Sequence, residues 1–491
     1  MHILKLPRAF RRLAGLCLVL WPAATLVTAA EADGDVSRND KALMAYVDDG
    51  RARAVTLADQ IWNWAEVGYQ EEQSSAALID YLREAGFQIE VGVGGIPTAF
   101  TAVYGSHGPT IAILAEFDAL PGLSQAALPE RSVIQPGGAG HACGHHLFGA
   151  ASVSASVALS KWLQQTGTKA RIKVVGSPAE EGGSGKVYLA RAGVFEDVDV
   201  VLHWHPSDTN SASPSSSTSN KSGLFTFHGY AAHAASAPHI GRSALDGVEA
   251  MNFMVNMMRE HIPQNSRIHY VITDGGDAPN IVPEKAQVYY YVRHPKVDQV
   301  GKLFERVATA ARAAAMGTGT RVDIEVMHGN YPLLPNYTLS ELVYANLTVL
   351  GGIEYGPEET RFANKIRRSL PGGGGSDGAE NTVAKYRFRQ GMGSTDVGDV
   401  SWLVPTVGFT TATWVPGTSA HSWQAVAAGG MSIGHKGMHR ATQVLAKTAM
   451  DLIHQPQLVA AAKRELQLAR GADFRYAALL GDRLPPLDYR K

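Results

Sequence analysis

The sequence predicts an α/β fold: a mostly parallel sheet with helices on both faces, interrupted by an inserted ferredoxin-like α+β domain. Three observations carry this. A short apolar run at 110–114 reads as a buried strand, and 171–175, 198–202 and 406–414 are further strand candidates, with helical patterns among them. Strands alternating with helices build a parallel layer. Between residues 222 and 331 the rhythm changes to β-α-β-β-α-β, the order of a ferredoxin-like unit. At 491 residues the chain also exceeds one ordinary core.

Taken in order, residues 1–30 read as an export signal rather than a fold element. Lys5, Arg8, Arg11 and Arg12 precede an apolar run from 13 to 27, and small residues follow at Thr28, Ala29 and Ala30. The run is short for a bilayer span, and Pro22 interrupts it. A periplasmic or secreted location, with no stable membrane span after cleavage, is the expectation. Residues 31–220 form the first part of the catalytic domain, with helix over 43–86, a helix of small residues over 149–163, and a Ser-rich loop at 211–219. Residues 221–331 form the insert. Its strands fall at 224–228, 268–273, 286–293 and 321–327, and its helices at 243–261 and 297–316. The catalytic domain resumes over 332–491, where 371–382 is Gly-rich and reads as a flexible surface loop.

A formal net charge of -1 leaves no basic excess for a nucleic-acid footprint. Of the two cysteines, Cys17 lies in the signal, so Cys143 is left as a single thiol that cannot form an intramolecular disulfide.

That thiol sits in Gly140-His141-Ala142-Cys143-Gly144-His145-His146. Thiolate and imidazole are good ligands for zinc or a related divalent ion. Glu180 and Glu181 follow the 171–175 strand, where ligand sites form in α/β sheets. One can reach a metal and the other substrate water. His203 and His205 share a strand face, and either could ligate. His421 follows the 406–414 strand. Each residue alone has an ordinary explanation as a core or loop residue. Together Cys143, His145, Glu181, His205 and His421 supply enough ligands for two metals sharing a bridge.

These motifs, with Ala115-Glu116-Phe117-Asp118-Ala119-Leu120-Pro121 and Gly434-His435-Lys436-Gly437, resemble the two-domain metallopeptidase and aminoacylase family that includes carboxypeptidase G and auxin-conjugate amidohydrolases. The resemblance spans most of the chain after the signal. It implies Cys143, His145, Glu181, His205 and His421 as ligands of two divalent ions, manganese or zinc, and Glu180 as general base. It assigns oxyanion stabilisation to His233, often from a neighbouring subunit, and substrate binding to Asn280 and Arg293. Asp118 and His146 would support the ligands from behind, although His146 stands where the family usually carries Asp or Asn.

The implied reaction is hydrolysis of the amide bond of an N-acyl (aroyl) amino acid such as p-aminobenzoyl-glutamate. The resemblance implies that residues 221–331 are a lid or dimerisation domain, and the implied assembly is a homodimer, or a heteromer with a related subunit. Three rivals remain: a dipeptidase or carboxypeptidase with the same chemistry, a catalytically silent metal-fold binding protein, and a cysteine hydrolase built on Cys143.

Overall fold

The computed structural model describes residues 29–376 and 378–490, with side chains from residue 40 onward. The expected export signal, Cys17 included, lies outside the described residues except for Ala29 and Ala30. The chain divides into a short unit, Met1–Lys41, and a large one, Ala42–Lys491. The candidate site lies wholly in the large unit.

Its main sheet has six strands in the spatial order Gln88–Val91, Phe100–Tyr104, Arg171–Gly176, Thr110–Ala115, Val200–Ser207 and Thr406–Ala412. The last four run parallel, and the first two add an antiparallel edge. Every residue of Thr110–Ala115 is buried, which requires cover on both faces and explains its continuous apolar run. Helices His145–Thr166 and Ser432–His454 pack against each other and the sheet. Ala, Ser and Gly along His145–Thr166 permit that close approach, and Gly167 ends the helix in a left-handed turn.

The helix expected over 43–86 is two helices, ending at Trp64 and restarting at Glu72. The break has a local cause. Ala65 and Tyr69 take positive φ, and the Glu66 carboxylate accepts from the backbone N–H groups of Gln73 and Ser74, capping the second helix. The serine-rich stretch is not all loop: Ser215–Ser216 pairs with Arg389–Gln390, and Ser219 already begins the next strand. The Gly-rich stretch contains two short 3-10 turns, Pro371–Gly373 and Ala379–Asn381.

The insert folds as expected from its rhythm. Its antiparallel sheet has the order Arg321–Asn330, Ser219–His228, Lys285–His294, Arg267–Asp274. Burial alternates with period two along Lys285–His294. Phe225, Phe227, Val288 and Tyr290 from the sheet meet Val248 and Val307 from the helices Ala244–Met258 and Val297–Thr318 in a core separate from that of the main sheet. Among the described residues, no helix is long and apolar enough to cross a membrane.

Candidate metal centre and active site

The carboxyl ends of the parallel strands deliver the site. Thr110–Ala115 leads into Glu116 and Asp118, Arg171–Gly176 into Glu180 and Glu181, Val200–Ser207 carries His203 and His205, and His421 follows Thr406–Ala412. Cys143 and His145 stand at the start of the long helix, where Gly144 takes a left-handed turn. A cavity of about 570 Å³ opens on Cys143, Glu180, Glu181, His205 and His421.

Ligand-type atoms converge in three groups, each within 4.8 Å: Cys143 with His145 and His205, Cys143 with Glu181 and His421, and Glu116 with His145 and Glu180. All five expected ligands are included, and Cys143 is common to the first two groups. The individual contacts fit cation binding. His145 Nδ1 bonds Asp118 Oδ1 at 2.8 Å, and His205 Nδ1 donates to the Pro206 carbonyl at 2.7 Å. Each ring is thereby oriented with Nε2 toward the cluster, the arrangement that metal-binding histidines use. His205 Nε2 lies 3.4 Å from Cys143 Sγ, and His421 Nε2 lies 3.1 Å from Glu181 Oε1. Glu116 Oε2 and His145 Nε2 face each other at 3.1 Å, yet both are buried without a hydrogen bond. Buried polar atoms left this way need another partner.

The electrostatics agree with that fit. Burial alone would lower the His145 pKa, but Cys143, Asp118 and Glu116 outweigh it and raise it well above the usual range. The pocket therefore stabilises positive charge at its centre. Burial, then Glu116 and Glu181, pushes the Glu180 carboxyl well above ordinary carboxylates. Burial, then Glu181, pushes the Cys143 thiol up, which disfavours a free thiolate nucleophile. A cation among these ligands would reverse that preference.

His203 lines the cavity but belongs to none of the three groups, and burial followed by His205 pulls it down to about 3. Asp118 contacts two of the candidate ligands: Oδ1 meets His145, and Oδ2 accepts from the Glu181 N–H at 2.9 Å. His146 points elsewhere. Its Nε2 donates to the Gly429 carbonyl at 3.1 Å, and its ring packs on His141. Arg293 reaches the cavity wall through Ser394 Oγ at 2.9 Å. His233 and Asn280 are exposed together on the insert, where Ala234 N donates to the Asn280 carbonyl, and neither lines this cavity.

Sequence reasoning missed Lys186, Asp396 and Glu71, which are fully buried and frame the cluster. Lys186 pairs with Glu116 at 2.7 Å and with Asp396 at 2.8 Å. Glu71 accepts from Ala179 N at 2.9 Å and braces the carboxylate loop. Their available signals are slight: a lysine shortly after Glu180 and Glu181, and two acids in loops.

The Peptidase dimerisation domain family matches residues 216–318. The chain is 38% identical over 453 residues to a subunit of the p-aminobenzoyl-glutamate hydrolase of Escherichia coli, covering 86% of this chain and 94% of that protein. It is 31% identical to a mouse Xaa-Arg dipeptidase, covering 86% and 90% respectively. A Bacillus subtilis structure described as a dinuclear metal binding peptidase from the M20 family shares the fold, with a TM-score of 0.56 and 16% identity over 83% of this chain and 99% of that one. Similarity to whole relatives, together with a fold that gathers ligand-type atoms of Cys143, His145, Glu181, His205 and His421 into overlapping groups, leads to a single assignment: the chain belongs to the M20 family of metal-dependent peptidases and amidohydrolases.

Proposed function

We propose that this protein hydrolyses the amide bond of an N-acyl amino acid, with aroyl-glutamates such as p-aminobenzoyl-glutamate as the first substrate class, at a centre of two divalent ions, manganese or zinc. The observation that carries the reading is that Glu180 lies within 4.8 Å of ligand-type atoms of His145 and Glu116 and lines the same cavity as Cys143 and Glu181. A purely structural metal site has no use for that extra carboxylate. The substrate class is supported by the likeness to the E. coli hydrolase and by Arg293 at the cavity wall.

Bound divalent ions would supply an acidified water and polarise the scissile carbonyl. Glu180 takes the proton of the attacking water and passes it to the departing amine. Arg293 pairs with the free carboxylate of the substrate through its planar fork. His233 acts on the developing oxyanion when a neighbouring subunit presents it, in a homodimer or in a heteromer with a related chain.

The test is release of p-aminobenzoate from p-aminobenzoyl-glutamate by protein loaded with manganese or with zinc, beside a chelator control. A dipeptide panel that includes Xaa-Arg peptides runs in parallel. Turnover of dipeptides alone would replace this reading with the dipeptidase one. We further infer that residues 1–30 direct export and are removed. Amino-terminal sequencing of protein recovered from the periplasm checks this, and an intact Met1 refutes it.

A further inference from the structure

The segment that presents the carboxylate pair makes only one distorted helical turn, Glu180–Gly183, to hold it. Ala179, Gly182 and Ser184 take φ values of 57°, 90° and 60°, and Glu181 lies at φ -71°, ψ 66°. Such a backbone leaves its polar groups to be satisfied from outside and persists only when its surroundings over-determine it. Three braces come from the parts of the chain already described. Glu71 accepts from Ala179 N at 2.9 Å, Asp118 accepts from Glu181 N at 2.9 Å, and Tyr69 Oη donates to the Gly183 carbonyl at 2.6 Å.

The Glu181 carbonyl is held from much farther along the chain. It accepts from Tyr489 Oη at 3.1 Å and from Arg490 Nη2 at 2.8 Å. The segment that brings these groups is tied down along its course. Arg191 Nη1 donates to the carbonyls of Gly481 and Arg483, Arg483 pairs with Glu325 at 2.8 Å, and Gln70 donates to the Leu487 carbonyl at 2.7 Å. The Tyr489 ring stands edge-on to Tyr69 with centroids 5.5 Å apart, and the Arg490 guanidinium covers it at 5.0 Å. Gly68 makes room: a Cβ there would fall 2.3 Å from the Tyr489 hydroxyl.

We propose that Tyr489 and Arg490 are positioning residues for the carboxylate pair. Fixing the Glu181 carbonyl fixes the plane of its peptide. With Asp118 on the N–H side of the same residue, the backbone is clamped at both ends of Glu181, and this sets the directions in which Glu180 and Glu181 leave it. Outer contacts of this kind tune a metal site without touching the ion. The proposal rests on the metal-centre reading but not on any particular substrate.

Co(II) titration of the metal-free, full-length protein, followed by visible absorbance, is the test. It compares the parent with Tyr489→Phe, Arg490→Ala, Arg490→Lys and the double variant Tyr489→Phe/Arg490→Ala. The double variant is expected to bind Co(II) about 10- to 100-fold more weakly. In the Co(II)-loaded form its kcat falls while KM holds, and Arg490→Lys recovers part of the loss. Unchanged Co(II) affinity and kcat, with only a lowered melting temperature, overturns the proposal. Should the double variant not fold, Tyr489→Phe, which keeps the ring against Tyr69, is judged by the same two readings. A parent that binds Co(II) but releases no p-aminobenzoate refutes the substrate class, while the isotherms still decide the role of Tyr489 and Arg490. A parent that takes up no Co(II) overturns both.

Discussion

Arg293 Nη1, on a strand of the insert, donates to Ser394 Oγ at 2.9 Å, and Ser394 lines the cavity that holds Cys143, Glu181 and His205. One guanidinium therefore links the insert to the wall of the candidate site. The side chain is held ready: its Nε donates to His269 Nε2 at 3.3 Å, and its plane lies over Tyr291 at 5.3 Å. Burial lowers the Arg293 pKa somewhat, but a guanidinium stays charged at any working pH.

Arg293→Ala is expected to raise KM for substrates with a free carboxylate by about 1.5–3 kcal/mol, the contribution of a hydrogen bond to a charged group, and to spare kcat. Arg293→Lys should recover only part, because an ammonium lacks the planar fork. Steady-state kinetics on an N-acyl amino acid and on its carboxamide decide the matter. An equal loss on the carboxamide removes Arg293 from carboxylate recognition.

Glu180→Gln and Cys143→Ala should fail in different ways. Glutamine keeps the shape but cannot accept a proton, so kcat should fall by about 10²–10⁴-fold while bound metal stays constant. Alanine at 143 removes the thiolate common to two ligand groups, so metal should be lost together with activity. Metal analysis after dialysis, paired with initial rates, separates the two. Full metal retention in Cys143→Ala would remove it from the ligand set.

What the sequence made legible follows from burial. Thr110–Ala115 reads as a strand because a parallel strand covered on both faces is apolar along its length, and Arg171–Gly176 keeps the same signal only in Ile172, Val174 and Val175. The edge strand Gln88–Val91 is mostly exposed, and its polar–apolar alternation covers only four residues, too short a run to stand out in a reading of the sequence. Cys143, His145, Glu181, His205 and His421 stand out because each is a metal-binding residue type in a loop or at the end of an apolar strand. Lys186 and Asp396 do not, since one lysine and one aspartate look like ordinary surface residues until the fold buries them together. Tyr489 and Arg490 meet Glu181 at sequence separations of 308 and 309, and no local pattern encodes such a contact.

The buried Lys186 makes a sharp stability prediction. Its ammonium pairs with Glu116 and Asp396, and all three side chains are shielded from water. Lys186→Met would leave the buried Asp396 without its cation and Glu116 with only His145 beside it. Breaking a buried pair this way costs roughly 3–5 kcal/mol. Urea unfolding of the metal-free protein at neutral pH measures it. The companion variant Lys186→Met/Glu116→Gln/Asp396→Asn removes the stranded charges and should regain much of the loss. A single variant as stable as the parent would mean that the lysine does not neutralise this cluster.

His328, which is not among the proposed ligands, gives a pH dependence of its own. It is buried, its Nδ1 lies 2.5 Å from Ser184 Oγ, and its ring centroid is 6.2 Å from that of Tyr291. Burial, and then the Arg293 charge, pulls the imidazole down to about 4, against a contrary hydrogen bond with the Gly182 backbone. The unfolded chain takes up this proton near pH 6.5, whereas the folded protein refuses it until about 4. The unfolded state therefore binds more protons between those values. His328 contributes stability that is full above pH 6.5 and is lost as pH falls toward 4. The loss from this one group amounts to about 2 kcal/mol between roughly pH 6.5 and 5. His328→Gln should flatten the fall in the urea midpoint over that interval by about this amount, whatever its effect on stability at pH 7. The comparison of slopes rather than levels isolates the titration from any packing defect. If the variant and the parent lose stability with the same slope, the proton uptake belongs to other histidines, and the imidazole beside Ser184 is not held neutral by its surroundings.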